Sequence, residues 1–74
     1  MKFIDFLRSV KDEKRTISIT FGDKLSLTCS IIETYDDFIK VNLMTFDKTT
    51  TAFSPTQKIS FVPVSTISFV EILR

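Results

Sequence analysis

The sequence predicts a mainly β protein, one amphipathic helix followed by five short antiparallel strands. Three observations carry that reading. The apolar period is helical over the first residues, it changes to two from Thr16 onward, and turn-forming residues then cut the alternation into strand-length pieces.

The helix spans about residues 1–12. Phe3, Phe6, Leu7 and Val10 recur at the i, i+3, i+4, i+7 spacing and Ile4 widens the stripe, while Asp5, Arg8 and Lys11 fall on other faces. Such a helix closes one end of a small core. The charged "KDEKR" stops the apolar pattern and makes the first connection.

From residue 16 to 74 the pattern is that of strands. Ile17, Ile19 and Phe21 alternate with Ser18 and Thr20, and Leu25, Leu27, Cys29 and Ile31 alternate with Ser26, Thr28 and Ser30. Between them stands Gly22-Asp23. Gly22 is the only glycine, and at the first central position of a two-residue loop it predicts a type II′ hairpin turn. At Ile31-Ile32 two apolar residues are adjacent, so the second strand is expected to change the face it buries through a bulge or sharp bend. Ile39, Val41 and Leu43 alternate with Lys40 and Asn42 in a third strand. "DKTTTAFSPTQ", residues 47–57, reads as a hairpin loop. Ile59, Phe61, Val62 and Val64 mark a fourth strand, Ile67 to Leu73 a fifth, and Pro63 suits the corner between them because it has no N–H to donate to a ladder.

The totals limit function. A chain of 74 residues holds one small domain, and chains near this size bury only about 60% of the surface they expose when unfolded. One cysteine allows no internal disulfide, and the lack of histidine removes the usual zinc-ligand sets. A net charge of +1 argues against bulk electrostatic binding of polyanions, so any nucleic-acid contact must be local. The basic residues Lys2, Arg8, Lys11, Lys14 and Arg15 crowd the first part of the chain. Most clusters of this kind are solvated, with cations suiting the negative end of a helix. No apolar run approaches the roughly 20 residues of a membrane span, and the opening residues are too charged for a secretory signal, so a cytoplasmic location is expected. No cofactor, membrane or small-molecule substrate is expected.

Apolar residues on both faces of the last two strands exceed what so short a chain can enclose. Further copies of the chain are therefore expected to cover them, edge to edge.

Asp36-Asp37 could be an acid/base or metal-binding pair. Adjacent strand residues point to opposite faces, however, so the two carboxylates do not converge and a turn role is favoured, with one Asp as an Asx acceptor. With no nucleophile beside a base, no enzyme activity is expected. Phe38 shares a face with Lys40, opposite Ile39, Val41 and Leu43. An aromatic beside a cation can stack a base and meet its phosphate; packing against a neighbouring subunit is the other reading. Lys40 taken alone is an ordinary solvated lysine, and Cys29 a small buried apolar group.

Ser30, Ile32, Asp36, Ile39 and Lys40 stand at the spacing of the first signature of the Sm/LSm family, which includes Hfq-type proteins. "YDDFIKVNL" resembles that signature's strand-turn-strand core. The chain departs from the family at the glycine of the bent strand, here Ser30 or Cys29, at the base-contacting Asn, here Lys40, and at the Arg-Gly before the last strand, where "VPVSTISFV" stands. The resemblance covers nearly the whole chain by layout and about a dozen residues by motif. It implies a strongly bent, SH3-type five-stranded antiparallel barrel in a ring of about five to seven copies, closed by heterologous contacts. It further implies single-stranded RNA, or DNA, bound near the pore by Phe38, Lys40 and Ser65-Thr66, with Asp36 ordering its loop. A ring serving only as a structural adaptor between proteins is the alternative.

Overall fold

The computed structural model describes residues 2–22 and 25–74. Its elements are α1 (Phe3–Asp12), β1 (Thr16–Phe21), β2 (Leu25–Thr34), β3 (Phe38–Asp47), β4 (Ala52–Pro63), a single 3-10 turn (Val64–Thr66) and β5 (Ile67–Ile72). The five strands form one antiparallel sheet in the order β4-β3-β2-β1-β5, so β4 and β5 are its two edges.

Helix α1 begins where the sequence places it. The Lys2 N–H donates to Asp5 Oδ2 at 3.3 Å, supplying a partner to an N–H that the helix itself leaves unpaired. The helix ends as Lys14 takes a left-handed φ of 56° and the Arg15 N–H reaches back to the Val10 carbonyl at 3.2 Å. Only part of the apolar stripe is enclosed. Leu7 and Val10 are buried and Ile4 and Phe6 pack against them, whereas Phe3 is exposed and lies 6.1 Å from the Phe6 ring. Leu7 and Val10 meet Ile17, Ile19, Cys29, Ile31, Ile39, Val41 and Val62 in one core. All of these strand residues but Val62 are ones that the period of two selects.

The first hairpin differs from expectation. Phe21 pairs with Leu25, which leaves residues 22–24 as a three-residue connection, and Gly22 does not take the positive φ that a type II′ turn requires. Asp23 and Lys24 lie outside the described residues.

At Ile31-Ile32 the expected irregularity is present. Ile31 pairs with Val41 and Glu33 with Lys40, so Ile32 is an extra residue. Ile31 therefore stays in the core while Glu33 turns outward and Thr34 lies opposite the buried Ile39.

Residues 47–57 are not one loop. β3 continues to Asp47, residues 48–51 make the connection, and β4 starts at Ala52 with Phe53 opposite Phe46 and Ser54 opposite Thr45. Turn-like composition is overridden by cross-strand packing: the Phe46 and Phe53 rings lie 5.1 Å apart, and an edge strand tolerates Pro55 because one row of its N–H groups has no ladder partner. Asp47 Oδ1 accepts the Thr49 N–H at 2.8 Å, which is the Asx turn of this connection. Further along, Thr56, Gln57 and Lys58 together face the single residue Leu43. Gln57 takes a φ of 67°, and the Thr56 hydroxyl donates to the Leu43 carbonyl at 2.9 Å while accepting the Lys58 N–H at 3.2 Å. The side chain thus satisfies two backbone groups that the interrupted ladder leaves over.

β4 ends at Pro63, and the 3-10 turn makes the expected corner into β5. No helix among the described residues is long and apolar enough to cross a membrane.

Candidate functional site

The turn between β2 and β3 is closed by its flanking residues. Thr34 pairs with Ile39, and the Tyr35 N–H donates to the Phe38 carbonyl at 2.9 Å, which isolates Asp36-Asp37 as a two-residue turn. Both aspartates are exposed. Neither carboxylate accepts a hydrogen bond or joins an ion pair among the described residues, so the turn is held by its backbone rather than by the expected Asx bond.

Closing the turn at Tyr35 and Phe38 brings their rings together, with centroids 4.6 Å apart and planes 21° from parallel. Phe38 lies opposite Pro63 on β4, and the Phe61 ring stands 6.0 Å from it at 61°. Since Ile39 and Val41 are fully enclosed, Phe38 is on the outer side of the sheet, as its parity requires, but it is half-buried by its two aromatic neighbours. The more open aromatic surfaces are Phe61, 60% exposed, and Tyr35, 40% exposed. Asp37, Phe38, Phe61 and Pro63 line an open groove of about 470 Å³.

Lys40 is half-buried, directly opposite Phe61 on one side and Glu33 on the other. The Glu33 carboxyl sits below its ordinary range, chiefly because it accepts the Thr34 N–H at 3.1 Å, then because of the Lys11 ammonium at 3.2 Å and the charge of Lys40. The basic start of the chain is largely spent on pairs of this kind. Lys11 bridges Glu33 and Asp12, Arg15 meets Glu13 at 2.9 Å, and Arg8 meets Asp5 at 3.2 Å.

Ser65 and Thr66 are exposed on the 3-10 turn. The Thr66 hydroxyl donates to the Pro63 carbonyl at 2.7 Å, and the Val64 N–H donates to the Asp37 carbonyl at 2.9 Å. That last bond ties the β4–β5 corner to the Asp36-Asp37 turn. Asp36, Phe38, Lys40, Ser65 and Thr66, scattered over 31 positions of sequence from 36 to 66, therefore belong to one end of the sheet. Tyr35 and Phe61 complete the cluster and were not singled out by the sequence reading. The signal that finds them is pairing: Tyr35 closes the turn onto Phe38, and Phe61 is the cross-strand partner of Lys40.

Cys29 is wholly enclosed, and burial pushes its thiol up to about 12. A thiol so held is a packing group rather than a nucleophile.

A second surface lies along the sheet edges. Ile59 and Phe61 on β4, and Phe69, Ile72 and the adjoining Leu73 on β5, are between 39% and 60% exposed. The apolar excess of the last two strands is thus on the surface, beside two strand edges that have no partner among the described residues.

Compared with known proteins, the sequence matches no family model and no curated protein at a significant level.

Proposed function

We propose that this chain is an Sm-like barrel subunit that joins copies of itself into a ring and binds single-stranded nucleic acid, RNA in preference to DNA. The observation that carries the reading is the bond from the Val64 N–H to the Asp37 carbonyl, which sets the aromatic turn and the β4–β5 corner side by side. The strand order, the bulge at Ile32 and the spacing of Ser30, Asp36, Ile39 and Lys40 support the Sm-like assignment. Exposed Ile59 on β4 and Phe69 and Ile72 on β5 support the ring, because pairing one copy's β4 with the next copy's β5 sets them against a neighbour and satisfies both open edges together.

In this reading the protein acts by repetition. A base stacks on the Phe38–Phe61 surface and Lys40 meets the phosphate in each copy, so individually weak sites add along one strand. The test has two parts. Light scattering gives the mass in solution, and labelled oligo(U), oligo(A) and a single-stranded RNA containing all four bases are titrated against wild type and Phe38→Ala. Stacking of a base on an aromatic is worth roughly 1 to 3 kcal/mol, so the variant binds at least about fivefold more weakly. No binding by wild type, or equal binding by Phe38→Ala, overturns the reading.

A second reading has one observation in its favour. Asp37 lines the aromatic groove and Asp36 adjoins it in the turn, and their charge opposes a polyanion. The same ring used only as a protein adaptor keeps its mass and ignores every oligonucleotide.

A further inference from the structure

The groove has a chemical peculiarity. Among the described residues its lining is Phe38, Phe61 and Pro63 with one polar residue, Asp37. That carboxylate is exposed and has no hydrogen-bond or ionic partner among the described residues. An ionised carboxylate only accepts hydrogen bonds, through two oxygens side by side. A base seated on the aromatic wall lies beside Asp37, and Lys40, the cation on the same face, is the cross-strand partner of Phe61.

We propose that this groove selects guanine. The inference rests on the nucleic-acid reading above and adds the base to it. Guanine alone presents two adjacent donors, N1–H and the 2-amino group, that match the two oxygens of one carboxylate. Adenine and cytosine offer one exocyclic amine each, and uracil offers a single N–H flanked by two carbonyls that the carboxylate repels. Guanine is also a purine, with the larger face for stacking on Phe61. The order of affinity is guanine first, adenine and cytosine next, uracil last.

The test uses short single-stranded RNAs alike except for one central base, with binding read by fluorescence anisotropy. Replacing guanine by hypoxanthine removes only the 2-amino group and weakens binding by about tenfold, within the range for losing half of a bidentate contact. Asp37→Asn exchanges one acceptor for a donor, and it leaves guanine and hypoxanthine within about twofold of each other. The side chain is exposed and the Asp37 carbonyl that holds Val64 is unchanged, so mass and circular dichroism stay those of wild type. Equal affinity of wild type for guanine and hypoxanthine, or tightest binding of uracil, overturns the guanine assignment and leaves nucleic-acid binding standing. Discrimination that persists in Asp37→Asn overturns Asp37 as its source. Failure of wild type to bind any of the RNAs overturns the nucleic-acid reading itself.

Discussion

The double variant Ile59→Ser/Phe69→Ser probes both sides of the proposed contact between copies. Ile59 is 46% exposed on β4 and Phe69 is 51% exposed on β5. Covering a whole Ile or Phe side chain is worth about 1.5 to 3 kcal/mol, so the uncovered half of each contributes about 1 kcal/mol when a neighbour buries it. Losing both removes about 2 kcal/mol per contact, which weakens each contact roughly thirtyfold. Light scattering across a dilution series therefore shows wild type holding a constant multiple of the chain mass at micromolar concentration, while the variant dissociates at about thirtyfold higher concentration. Leu25→Ser is the internal control. Leu25 is more exposed than either residue, at 70%, but it sits on β2 inside the sheet, and its loss leaves the mass unchanged. A monomeric wild type, or equal dissociation of Leu25→Ser and the double variant, refutes the argument that strand edges direct assembly.

Two further predictions concern the fold. Thr56→Val removes the hydroxyl that serves the Leu43 carbonyl and the Lys58 N–H; with both groups partly reachable by water, the cost is about 1 to 2 kcal/mol, seen as a lower urea midpoint with unchanged slope, and an unmoved midpoint disproves the role. Cys29 resists thiol reagents until the protein unfolds, and its pH effect has a definite sign. The folded thiol is pushed from 9.0 up to about 12, so the unfolded chain releases the proton first; the stability is complete below pH 9.0, falls as pH rises toward about 12, and falls less steeply in Cys29→Ala. Rapid labelling of native protein at pH 8 contradicts the burial argument.

The core was legible because alternation alone selects Ile17, Ile19, Cys29, Ile31, Ile39 and Val41, and the one break in alternation, at Ile31-Ile32, is where the ladder gains a residue. Turn chemistry was less legible. Gly22 invites a positive φ that it does not take, whereas Lys14, Thr51 and Gln57 take one without being glycine. Threonine-rich residues 47–57 look like a loop because local composition carries no information about Phe46 meeting Phe53 across a ladder. At the candidate site, parity places Phe38 outward, but its partial covering by Tyr35 and Phe61 arises from a turn closure and a cross-strand register that only the folded chain specifies.

The link between the Asp36-Asp37 turn and the β4–β5 corner is made by main-chain atoms at both ends. Its geometry is therefore indifferent to which side chains those two positions carry, with proline at residue 64 the one substitution that deletes the donor. Residues around it can drift in chemistry while the two segments stay docked, so a scaffold of this kind can keep its shape and change what it recognises.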